Sequence, residues 1–144
     1  RGLPGSKSSA TGGPQAMEGL LLDRNSCSEF VRVVGESNYQ SAISRVCGTT
    51  PGTEVRFECV AGLWPDPENR YDPNAVEVQI NGMVVGHLSR EDAVAYRPMI
   101  DSVMARGLVL VCNASIAGRG AGSETPNRGV FLRLPPPDDH IEFD

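Results

Sequence analysis

Among the residues whose types could do chemistry, one group stands close together in sequence between Trp64 and Arg90: Asp66, Glu68, Arg70, Tyr71, Asp72, Glu77, His87 and Arg90. His87 has no serine or cysteine nucleophile placed beside it by sequence, so no nucleophile–base pair is spelled out. Glu58, Glu77 and Asp72 can be imagined as an acid/base pair, but Glu58 and Glu77 fall on the solvent-facing phase of alternating strands. Cys27, Cys47, Cys59 and Cys112 are 20, 12 and 53 residues apart, without the close spacing of a zinc site and without a histidine at ligand distance. The Gly118–Gly122 stretch lacks the lysine and Ser/Thr that end a phosphate-cradling loop. Neither a metal nor a cofactor is therefore expected. The stretch from Trp64 to Arg90 holds an aromatic ring at Tyr71, a carboxylate at Asp72, and polar or cationic side chains at Arg70, His87 and Arg90.

These groups sit in one continuous stretch. Trp64 to Ala75 is too rich in Pro, Asp and Asn for helix or strand, and three prolines (Pro65, Pro67, Pro73) stiffen it. Val76, Val78 and Ile80 then alternate with Glu77 and Gln79, the period of a strand with one buried face. Asn81-Gly82 supplies the two positive-φ positions of a tight type I′ turn, and Val84 to Leu88 returns. A shaped loop is thus clamped to a hairpin, an arrangement that suits a binding loop as well as a plain connection.

The block Asn69-Arg70-Tyr71-Asp72-Pro73-Asn74-Ala75-Val76, followed by a strand, a glycine turn and Val85-Gly86-His87-Leu88, resembles the signature of the HIRAN domain family. Upstream, Val33-Val34-Gly35-Glu36-Ser37-Asn38-Tyr39-Gln40 is similar to that family's opening strand and turn, so the resemblance covers roughly residues 30–134. It implies a small OB-like or SH3-like β-barrel that captures the 3′ end of single-stranded DNA in repair or replication-fork processing. Such a module lacks catalysis of its own and works beside a helicase or nuclease partner. On this reading Tyr71 stacks on a terminal base, Asp72 accepts from the 3′-hydroxyl, and Arg70, Arg90 and His87 are phosphate or base donors. Phe131 is a further stacking residue. The upstream turn departs from the pattern. Ser37 and Asn38, with Tyr39 next, stand where DNA-end-binding relatives have a basic and an aromatic residue, although both can still hydrogen-bond a phosphate or base. Each assignment has a structural counterpart: Asp72 can cap its own turn, Tyr39 can be a core staple, and Asn74 can order the loop through its amide.

Composition bounds the rest. The chain has 144 residues, room for one domain of ordinary size. A net charge of −5 does not suit a general coater of duplex DNA, which gains affinity by neutralising phosphates. An acidic surface, an exposed Trp64 and a flexible 117–128 loop suit the alternative, a protein–protein interaction module that no longer binds DNA. No apolar run approaches the ~20 residues of a membrane-spanning helix. Cys47, Cys59 and Cys112 read as reduced core residues, which points to the cytoplasm, or to the nucleus in a eukaryote. The chain begins at Arg1 rather than Met, and a fragment or a tagged chain is the expectation.

Along the chain, residues 1–25 read as a disordered linker or tag remnant, 26–135 as the domain and 136–144 as an acidic tail. Strands are expected at Phe30 to Gly35, Glu54 to Val60, Val76 to Ile80, Val84 to Leu88, Leu108 to Ile116 and Gly129 to Leu134. A short helix carries Tyr39, Ala42, Ile43, Val46 and Cys47 on one face. A second starts at Ser89, capped through Asp92, stops at Gly107, and is expected to kink or restart at Pro98. The fold class is mainly β with two helices, in the order β-α-β-β-β-α-β-β.

Overall fold

The computed structural model describes residues 2–3, 5–9, 17–22, 27–50, 52–119, 127–141 and 143. Its framework is a pair of long antiparallel strands, β5 (Val55–Pro65) and β8 (Leu108–Gly118), in register from Val55 opposite Gly118 to Leu63 opposite Leu110. The far end of β5 takes β6 (Val76–Ile80), and β6 turns back as β7 (Met83–His87). Asn81 and Gly82 have φ of 49° and 80°, the two positive values a type I′ turn requires.

The other edge of β8 is divided. Its first half pairs in parallel with β3 (Glu18–Leu22), and its second half pairs antiparallel with β9 (Gly129–Leu134), which takes β4 (Glu29–Arg32) on its outer side. From β4 to β9 the elements follow β-α-β-β-β-α-β-β, with α1 (Gln40–Cys47) after β4 and α2 (Arg90–Met104) after β7.

The fold is mainly β with two helices, as expected, but its ladders do not close into a barrel. The strands form an open, branched path, and two of its three ends meet at one point. Past β4 the backbone leaves β9, and Val34 makes an isolated bridge to His87 through two backbone hydrogen bonds of 2.8 and 2.9 Å. Gly86 is what lets the chains meet there. A Cβ at that position would lie 2.3 Å from Val33 Cγ1 and 2.6 Å from the Val34 carbonyl oxygen. Gly35, in contrast, has open space around it and serves by its φ of 75°, starting the 3₁₀ turn Glu36–Tyr39.

The core lies between the sheet and the two helices: Ile43 and Val46 of α1, and Ala93, Tyr96, Met99, Ile100 and Val103 of α2, pack on strand residues such as Val76, Ile80, Leu110 and Ile116. Ser89 Oγ accepts from the Asp92 N–H, as the capping pattern predicted. The helix runs on through Pro98 rather than restarting. Pro98 and Val94 are both exposed, so the carbonyl that proline leaves without a donor faces water.

Several residues differ from their sequence reading. The segment read as linker contains β1 (Gly2–Leu3), β2 (Gly5–Ser9) and β3, and Leu20 and Leu22 are buried. β10 (His140–Ile141), in the expected acidic tail, pairs with β1, and Ile141 is buried. Trp64 is buried rather than exposed, packed with Val109 and Val111 beside Met17, Leu21 and Met104. Gln79 is buried because a bulge between Val78 and Gln79 breaks the alternation and Gly62 stands opposite, leaving room for the side chain. Cys47, Cys59 and Cys112 are free thiols. Residues 120–126 of the expected glycine-rich excursion lie outside the described residues. At its end, however, Arg128 is fully buried. Its guanidinium donates to the carbonyls of Arg119, Thr49, Thr50 and Thr53 and to Ser44 Oγ, while its backbone exchanges two hydrogen bonds with the Gln40 side chain.

Candidate functional site

The 65–75 loop is ordered from within. The Asp66 N–H donates to the Ala75 carbonyl, closing the base, and the Ala75 N–H donates to the Asp72 carbonyl. Asn69 organises the tip: its Oδ1 accepts from the backbone N–H of both Tyr71 (2.9 Å) and Asp72 (3.0 Å). Asp72 Oδ1 in turn accepts from the Asn74 N–H at 2.9 Å, so Asp72 does cap its own turn. Asn74 is exposed and contributes that N–H. The side-chain amide that orders the loop belongs to Asn69, not Asn74.

These bonds present Tyr71 with 80% of its surface open, the most exposed large aromatic or aliphatic side chain among the described residues. The start of α2 holds the same loop from outside. Arg90 Nη2 donates to the Tyr71 carbonyl (3.2 Å), and Arg97, paired with Asp101, reaches the Pro73 carbonyl. Arg90 thereby positions the loop and still has N–H groups of its five to offer. Arg70 is exposed at the tip.

A second group forms at the seam. Tyr39, at the end of the 3₁₀ turn, is half-buried with its ring centroid 6.2 Å from that of His87, tilted by 51°. Ser37 and Asn38 are exposed on the same turn, and the Asn38 N–H donates to the Gly35 carbonyl. His87 is half-buried on β7 and lies three residues before Arg90, so the hairpin links the seam to the loop.

Phe131 stands apart from both groups, half-buried on β9, with the Arg32 guanidinium 5.5 Å from its ring centroid. Arg32 also pairs with Glu36 of the 3₁₀ turn at 3.6 Å, which ties Phe131 to the seam. Sequence reasoning did not single out Asn69, Arg97 or Arg32. An Asx residue two positions before Tyr71 was the available signal for the first. For Arg97 and Arg32 there was only helical and strand phase.

The arrangement offers ring faces, guanidinium donors and a carboxylate on pre-ordered backbone. Among the described residues no three His, Cys, Asp or Glu side chains are grouped to hold a metal ion, and no helix is long and apolar enough to cross a membrane. The thiols of Cys47, Cys59 and Cys112 are poor nucleophiles. Burial pushes Cys59 up to about 12 and raises Cys112 further, and it raises Cys47 against the lowering effect of Arg128.

The HIRAN domain family model matches residues 34–115, more than half of the chain. The chain belongs to the HIRAN family. That family consists of nucleic-acid-binding modules, and the match spans the seam, the 65–75 loop and both helices of this HIRAN domain. No curated protein and no solved structure matches the chain.

Proposed function

We propose that this HIRAN domain binds the 3′ end of single-stranded DNA and carries out no chemistry of its own. Tyr71 stacks on the terminal base and Asp72 accepts a hydrogen bond from the 3′-hydroxyl. Tyr39 and His87 flank the next base, and Arg70 and Arg90, with Ser37 and Asn38, meet phosphates. The observation that carries this reading is the Asn69-capped turn, which holds an exposed aromatic ring beside a carboxylate that has only Oδ1 engaged in the turn. A few local donors suffice for one strand end, so a net charge of −5 is compatible with it. The fork-processing role, the helicase or nuclease partner and a cytoplasmic or nuclear location are proposed on family membership and on the free thiols of Cys47, Cys59 and Cys112.

The test is fluorescence anisotropy with a single-stranded oligonucleotide ending in a free 3′-hydroxyl or a 3′-phosphate. The wild type should prefer the hydroxyl. Asp72→Asn keeps an oxygen for the Asn74 N–H and should weaken the preference, and Asp72→Ala should remove it. No binding of either oligonucleotide at low salt overturns the proposal in favour of a protein-interaction module.

A further inference from the structure

The outer face of β4 and β9 carries a pattern of which the end-binding reading uses Phe131 alone. Phe30 and Arg32 point outward from β4 in alternation with buried Val31 and Val33, and Phe131 and Arg133 point outward from β9 in alternation with buried Val130, Leu132 and Leu134. The register sets Phe30 opposite Arg133 and Arg32 opposite Phe131. Aromatic rings and guanidiniums therefore occupy alternate squares of a two-by-two board, with the two residues of each strand ~7 Å apart. Each ring has a cation over it, Arg133 at 4.8 Å from the Phe30 centroid and Arg32 at 5.5 Å from that of Phe131.

Three observations mark this face as more than a solvated surface. Phe30 is 65% exposed, an unusual position for a phenylalanine on an outer strand. Arg133 Nε is shielded from solvent and has no acceptor among the described residues, while the guanidinium that carries it lies beside an open ring. And the patch is continuous with the seam through the Arg32–Glu36 pair. The charge of Arg32 is shared with Glu36, and Glu58 lies two strands away across Ser115. That leaves Arg133 as the principal cation of the patch.

We propose that this face is a second contact for single-stranded DNA, holding the nucleotides 5′ of the captured end. Phe30 and Phe131 stack bases, and Arg133, with Arg32, meets the phosphates between them. Alternating ring and guanidinium is the composition that sequence-tolerant strand binding uses. The inference rests on the end-binding reading for its direction, since any nucleotide beyond a captured 3′ terminus lies on its 5′ side.

The test is anisotropy with 5′-labelled oligonucleotides of about three and about nine nucleotides, the longer also with a 3′-phosphate. The longer strand should bind at least about fivefold tighter than the shorter, one stacked base's worth. Phe30→Ala and Arg133→Gln should each remove most of that gain, Phe30→Tyr should keep it, and the preference for a free 3′-hydroxyl should be unchanged in all three. Emission from the buried Trp64 reports that each variant is folded. If the hydroxyl preference is intact but the length gain is absent, or survives Phe30→Ala and Arg133→Gln, the second contact is wrong and end capture stands. If the length gain depends on Phe30 without any hydroxyl preference, the face binds DNA and end capture falls. No binding of either length overturns both.

Discussion

At the scale of single residues, Asn69 decides whether the loop is a site. One side-chain oxygen fixes the two amides that aim Tyr71 and Asp72. Asn69→Ala should lower global stability by only about 1 kcal/mol, because the loop is exposed and water replaces the lost bonds. The preference for a 3′-hydroxyl should fall far more than that, since the ring and carboxylate lose their shared frame. A urea titration beside the anisotropy measurement separates the two effects. The motif around Tyr71 was legible because turn chemistry and family resemblance both select it. The division of labour inside it was not. Asn69, Asp72 and Asn74 are all Asx residues in one turn, and only the backbone path determines which amide caps which N–H.

At the scale of elements, the hairpin from Val76 to His87 was written in alternation and an Asn-Gly turn, and it formed with that turn, although a bulge after Val78 breaks the alternation. Both helices were legible from apolar phase, and the start of the second from its cap. The seam was not legible, since it joins Val34 to His87 across more than fifty residues and the sequence marks it only by Gly86. Gly86→Ala places a methyl against the Val33 side chain and the Val34 carbonyl. It should destabilise the domain by about 2–4 kcal/mol, read as a lowered denaturant midpoint. It should also weaken oligonucleotide binding, because Tyr39 and His87 then lose their common register. A substitution at Gly35, where space is open, should cost only the strain of its positive φ and leave the bridge in place.

At the scale of the whole molecule, the sheet is larger than the motif-bearing segment. β3 lies in parallel on β8 and covers the Trp64 cluster, so a stretch whose composition reads as linker completes the second core. Glycine, serine and proline counts hide such a strand, because five residues with three leucines suffice to build it. The buried thiols and phenol set an alkaline limit. Burial raises Cys59 from near 9 to about 12, with Cys47 and Glu58 adding to the shift, and it also raises Cys47, Cys112 and Tyr96. Below pH 9 the folded and unfolded chains hold the same thiol protons and this contribution is flat. Between about 9 and 12 the unfolded chain releases protons that the fold retains, so stability falls as pH rises. Denaturant midpoints from Trp64 emission should agree at pH 7.5 and 8.5 and drop at pH 10, and Cys59→Ala should reduce the drop.

Arg128 joins these scales. Its backbone and guanidinium reach Gln40 and Ser44 of α1, the carbonyls at 49, 50 and 53, and Arg119 at the end of β8, with sequence separations of up to 88 residues. A buried cation met by carbonyl dipoles rather than by a carboxylate is stable only when all of them are in place. Thr49, Thr50 and Thr53 therefore cannot move away on their own, because releasing them strands the charge. Helix, connection and strand pair unfold as one cooperative unit, and in folding the staple closes late, after the distant segments have met.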